Sequence, residues 1–140
     1  NPKNLVYIGT RSFEPGERAL LNRLGVKIYY MEEVKARGFA DVFKEARQYV
    51  TQNAPFYGIS LDIDVFDPEQ LSGTGSIEQD GLKQENTFPS LAGLLNDPHL
   101  ICFELVEFNP DLDHENQTLS FLWHLTRTLL GDLNDNQSTE

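Results

Sequence analysis

The chain has a single cysteine, Cys102, so no disulfide framework can form within it. Its thiol lies in an apolar run and is expected to be buried, in the reducing setting of a cytoplasm. Positive charge is scarce: 11 Lys and Arg stand against 22 Asp and Glu, a net charge of −11. Nucleic acid and anionic membrane would both be repelled, which excludes them as expected partners. The sequence carries no recognisable signal peptide and no run of about 18 apolar residues, so neither export nor a membrane span is expected. It also lacks an internal repeat, a Gly-rich phosphate loop and a Cys/His zinc spacing. At 140 residues with 39% hydrophobic content, it has the length and core of one globular domain.

Acidic residues are concentrated where chemistry is expected. In Ser60-Leu61-Asp62-Ile63-Asp64-Val65-Phe66-Asp67-Pro68, three carboxylates follow the apolar run Phe56–Leu61, which reads as a strand covered on both faces. Residues two apart on a strand share a side, so Asp62 and Asp64 are expected to project together. Two such charges repel and resist desolvation, and a cation is the simplest compensation. Oxygen ligands of this kind suit Mg, Ca or Mn. The bland alternative is an Asp-Pro turn that uses its carboxylates on its own backbone. A calcium loop of the EF-hand type is excluded, because positions six and twelve from Asp62 hold Asp67 and Gly73 instead of Gly and Glu.

The remaining periodicity predicts an α/β fold, a mainly parallel β-sheet flanked by helices. Strands are expected at Leu5–Gly9, Val26–Tyr30, Phe56–Asp62 and Leu100–Phe108. Helices are expected from Glu14 to a cap at Gly25, over Met31–Arg37, Ala40–Gln52, Thr87–Leu95 with Pro89 in its first turn, and Asn116–Leu130. On the last helix, Leu119, Leu122, Trp123, Thr126, Leu129 and Leu130 read as the buried stripe. The segment from Val65 to Asn86 is left irregular, and a loop of that length in a compact domain is usually functional. Ligands of parallel sheets gather at the carboxyl ends of strands, where Asp62, Asp64 and Glu107 fall. His99, His114 and His124 sit in settings that suit structural roles.

Three segments, in order, resemble the arginase family of ureohydrolases. Ile8-Gly9-Thr10-Arg11 followed by Pro15-Gly16-Glu17 is similar to its Ile-Gly-x-Arg and Pro-Gly-Glu. Ser60–Pro68 is similar to its signature Ser-x-Asp-x-Asp-x-x-Asp-Pro, and Glu107-Phe108-Asn109-Pro110 to its Glu-x-Asn-Pro. The resemblance implies a three-layer α/β/α fold and a hydrolase of linear guanidino or amidino compounds that uses two Mn2+ per subunit to activate water. It implies that Asp62 and Asp64 are metal ligands, that Glu107 faces the substrate guanidinium, and that Ser76 lies near the substrate; it assigns no further catalytic residue in this chain. Arginine, hydrolysed to ornithine and urea, is the favoured substrate, with agmatine and formiminoglutamate as alternatives. A homo-oligomer, trimer or hexamer, is implied as well.

The family's Gly-Gly-Asp-His and Asp-Ala-His-x-Asp segments are absent. Together with the start at Asn1-Pro2-Lys3-Asn4, this leads to the expectation that residues 1–131 are the C-terminal half of a ureohydrolase domain, with 132–140 a polar tail. In the family sheet a strand from the missing half lies between those of Ile8 and Asp62, so a gap is expected there, and the piece alone is expected to be inactive. Leu71-Ser72-Gly73 and Asn86 depart from the family pattern. A catalytically silent member serving as a binding or regulatory subunit is therefore the second reading, and an α/β interaction domain with an incidental acidic turn the third.

Overall fold

The structure, a computed structural model of the chain, describes residues 1–52 and 54–132. The polar tail expected at its end lies outside the described residues from 133 onward. Strands and helices alternate: β1 Val6–Thr10, α1 Pro15–Leu24, β2 Lys27–Tyr30, α2 Met31–Arg37, α3 Phe39–Thr51, β3 Tyr57–Asp62, α4 Gln84–Leu91, β4 Leu100–Val106 and α5 Gln117–Leu130. Short 3-10 turns interrupt the connections, among them Ile63–Val65 and His114–Asn116. No described helix is long and apolar enough to cross a membrane.

Both strand pairings are parallel, as alternation with helices requires. They form two separate sheets, β1 with β2 and β3 with β4, and no described strand joins them. Helix α3 contacts both β1 and β3. It does so because Phe39, Val42, Phe43 and Ala46 recur at helical spacing on one face and are all buried. Gly38, at φ 88°, breaks α2 from α3.

Several expectations change. Cys102 is exposed, not buried, and β3 is covered on one face only: Tyr57, Ile59 and Leu61 turn inward while Gly58 and Ser60 are exposed. Cys102 pairs with Gly58 and shares its open side. Helix α4 begins at Gln84, three residues earlier than expected, which places Pro89 inside it. The helix ends two residues later, and the missing Pro89 amide costs it one hydrogen bond.

Helix α5 has two apolar faces. Thr118, Phe121, Leu125, Thr128 and Leu129 are buried, whereas Leu119, Trp123 and Leu130 from the expected stripe are exposed. The inward row is selected by an aromatic cluster. Phe66 lies 4.8 Å from Phe121 and 6.2 Å from Phe88, and Phe88 lies 5.3 Å from Phe121, all edge to face. Such contacts add about 0.5–1.5 kcal/mol per pair to the area that is buried. They anchor the residue immediately after the acidic turn against α4 and α5.

Candidate functional site

Strand β3 carries Asp62 to its carboxyl end. Across the pair Asp62 registers with Val106, the last residue of β4, and Glu107 follows directly. The two sequence-predicted carboxylates thus sit at the same end of one parallel pair. Glu107 is exposed and holds φ at 67°. For a residue with a Cβ this left-handed conformation costs about 1 kcal/mol or more, so the neighbourhood must hold it there. Asn109, two residues on, donates its amide to the Gly73 carbonyl at 2.8 Å.

Asp64 is not on the strand. It lies in the 3-10 turn Ile63–Val65, and the alternation argument that paired it with Asp62 does not apply. The two carboxylates meet by another route: Asp62 Oδ1 accepts the Asp64 amide at 3.1 Å and caps the turn, while Ile63 between them is fully buried. Burial, then the charge of Asp62 and a side-chain hydrogen bond to it, push Asp64 up to about 6; Glu107 adds to the rise and Arg11 opposes it. Asp67 is buried and serves the turn, accepting the Glu69 amide at 3.1 Å.

The loop that follows is closed at its base. Asp67 donates to the Leu82 carbonyl at 2.8 Å and Leu82 to the Val65 carbonyl at 2.9 Å. Gly81 permits this crossing, since a Cβ there would lie 2.3 Å from Asp67 N and from Phe66 C. Within the loop Leu71, Gly73 and Thr74 are buried, and Thr118 Oγ1 accepts the amides of Ser72 at 3.0 Å and Gly73 at 2.7 Å. Ser76 is exposed on the next stretch. Two residues further on, the carbonyls of Glu78 and Gln79 receive Arg11 Nη1 at 3.0 and 3.3 Å, and the Asp64 carbonyl receives Arg11 Nη2. Arg11 was visible in the sequence as part of a motif, but nothing in the spacing assigned it this contact.

The pair Asp62 and Asp64 fits a hard divalent cation. It offers carboxylate oxygens, burial and then mutual repulsion raise the pKa of Asp64, and a cation placed between them would relieve that repulsion. Among the described residues no group of three His, Cys, Asp or Glu side chains converges that could hold a metal ion, so the pair would need further ligands to complete a shell. Two histidine rings are engaged elsewhere, His99 Nδ1 at 2.9 Å from the Pro55 carbonyl and His124 packed on Phe88 at 5.1 Å, while the backbone amide of His114 donates to Ser72 Oγ at 3.1 Å. Two hollows stand apart from the acidic pair. One of about 440 Å³ is lined by Lys44, Arg47, Tyr57, Asp97 and His99, and one of about 720 Å³ lies between the α2–α3 corner and the loop, with Lys35, Asp67, Asp80 and Asn86 on its wall.

The family model described as the arginase family matches residues 1–131. An arginase from Brevibacillus brevis is 37% identical over 93% of this chain and 44% of its own length. Among solved structures, native arginase from Bacillus caldovelox superposes with a TM-score of 0.85 at 33% identity, over 93% of this chain and 44% of the other. Formimidoylglutamase from Bacillus subtilis superposes with a TM-score of 0.84 at 25% identity, over 92% and 41%. The chain thus spans less than half the length of the relatives it matches.

Proposed function

This chain belongs to the arginase family, and we propose that, within a complete family domain, it supplies one side of a manganese-dependent site that hydrolyses a linear guanidino compound, arginine foremost. The observation that carries the reading is the hydrogen-bonded carboxylate pair Asp62 and Asp64 at and just beyond the carboxyl end of β3, with Glu107 immediately after the paired strand β4. Arginine is preferred because the Brevibacillus brevis relative is an arginase. The equally good superposition of formimidoylglutamase keeps formiminoglutamate as an alternative, and agmatine a further one.

In this reading Asp62 and Asp64 hold the cations, and the remaining ligands come from the part of the family fold that this chain does not span. When bound, manganese supplies Lewis-acid activation of water at neutral pH. Glu107 offers a carboxylate to the planar guanidinium, whose paired N–H donors suit two carboxylate oxygens. Its left-handed backbone sets the direction of the Cα–Cβ bond from which that carboxylate is presented. Ser76 offers a hydroxyl from the loop. The proposed assembly is a homo-oligomer working in the cytoplasm.

The test is manganese content together with product release from arginine, agmatine and formiminoglutamate, each assayed on the complete domain. About two Mn per subunit with turnover of one substrate supports the hydrolase and names its specificity. Bound metal without turnover of any of the three supports the silent-subunit reading, which the altered Leu71–Gly73 segment motivates. No metal sinks the assignment of Asp62 and Asp64.

A further inference from the structure

Arg11 follows the last residue of β1 and is half-buried. Strand β1 belongs to one sheet and the acidic pair to the end of the other, so the guanidinium crosses from one to the other. The crossing is prepared by Gly9. Its φ of 80° accompanies a break in the β1–β2 register between Ile8 and Thr10, and its Cβ position lies 2.8 Å from Val65 Cγ2 and 3.2 Å from Met31 Cε. The backbone of β1 therefore packs against the Val65 side chain of the acidic turn at a position where Gly9 has no side chain of its own. Arg11 then reaches the Asp64 carbonyl on that turn and the Glu78 and Gln79 carbonyls on the loop.

Each of these bonds ends on a main-chain carbonyl. Arg11 thus takes up none of the carboxylate oxygens of Asp62 and Asp64, while the guanidinium stays close enough to oppose their mutual repulsion. A planar fork of five donors can serve two segments together, and the single ammonium of lysine cannot. We propose that Arg11 is a positioning residue that fastens the loop at Ser76–Asp80 to the acidic turn, so that order in this loop and cation affinity at Asp62 and Asp64 are coupled. The cation half of this proposal rests on the metal-site reading above; the fastening of the loop does not.

The experiment compares wild type, Arg11→Lys and Arg11→Gln in the complete domain. Amide hydrogen exchange across residues 76–80 is followed with and without Mn2+, and Mn2+ affinity is measured by titration calorimetry. Losing a charged donor shared among three carbonyls is expected to speed exchange at 76–80 at least about tenfold in Arg11→Gln and to weaken Mn2+ binding by about tenfold. Arg11→Lys keeps the charge and loses the fork; it is expected to exchange fast at 76–80 and to recover part of the affinity. In wild type, Mn2+ is expected to slow exchange there further. Wild-type exchange at 76–80 in both variants overturns the proposal, and so does a loss of protection spread evenly over the chain, which marks a general structural role. Absence of Mn2+ binding in wild type sinks the metal-site reading separately, and exchange in the metal-free variants still decides whether Arg11 holds the loop.

Discussion

Thr118 Oγ1 accepts the Gly73 amide at 2.7 Å and the Ser72 amide at 3.0 Å, so one buried hydroxyl near the start of α5 holds the loop that follows the acidic motif. Gly73 is suited to this grip: a Cβ there would lie 3.0 Å from Thr118 Oγ1 and 3.0 Å from Phe108 Cε2. The segment that departs from the family pattern is thus well fitted to its own surroundings.

Replacing Thr118 with Val keeps the shape and removes the acceptor for two amides, one of them buried. The expected loss is about 1–3 kcal/mol, read as a lower urea midpoint with an unchanged denaturant slope. Thr118→Ser restores the oxygen and is expected to recover most of it. Equal midpoints for Val and Ser would show that the hydroxyl contributes nothing.

Gly81→Ala tests the closed base of the loop. The added methyl would fall 2.3 Å from Asp67 N and Phe66 C and 2.4 Å from Phe66 O, and backbone atoms have no rotamer by which to yield. A cost of about 2–3 kcal/mol is expected. Faster proteolysis within residues 66–83 should accompany it. A variant as stable and as protected as wild type would mean that the two chain segments do not cross this closely.

The alternation of strands and helices was legible where an element has one clear period, as the buried Val42, Phe43 and Ala46 of α3 illustrate. The acidic pair was legible too, although for a reason that did not hold. Asp62 and Asp64 come together through a 3-10 turn, which sequence spacing does not distinguish from a strand. Helix α5 misled because both of its faces are apolar, and only the position of Phe66 and Phe88 in space decides which one turns inward. Cys102 misled for a related reason: an apolar run predicts burial only if something covers it, and the covering face is open here. The Arg11 bridge joins residues 53 and more apart in sequence, a relation that no local pattern carries.

Asp97 gives a pH prediction. It accepts the Tyr57 hydroxyl at 2.7 Å and the His99 amide at 2.9 Å and pairs with Arg47. Hydrogen bonding from Tyr57 first, then from the His99 amide, holds its carboxyl below the ordinary aspartate value despite some burial. A carboxylate lowered in the folded state binds fewer protons there than when unfolded. Its contribution is therefore present above the ordinary aspartate value and is lost as pH falls through the lowered one. Urea midpoints measured from pH 7 down to about pH 3 should fall less steeply in Asp97→Asn than in wild type. Identical slopes would remove Asp97 as a source of acid sensitivity.

Glu107 sets stability against the proposed function. Its left-handed backbone costs about 1 kcal/mol or more in any residue that has a Cβ, and glycine escapes that cost while giving back part of the gain through the freedom of its unfolded chain. Glu107→Gly should therefore be more stable than wild type by about 0.5–1 kcal/mol. Glu107→Gln retains both the Cβ and the strain, so it should not share the gain from glycine. In the complete domain both variants remove the carboxylate proposed to meet the guanidinium, and both should raise KM for arginine, since a charged hydrogen bond contributes about 1.5–3 kcal/mol. A residue kept for folding alone would show the opposite, with stability falling in Glu107→Gly and KM unmoved in Glu107→Gln. A strained glutamate whose removal stabilises the protein and weakens its substrate binding is one held in place for its carboxylate.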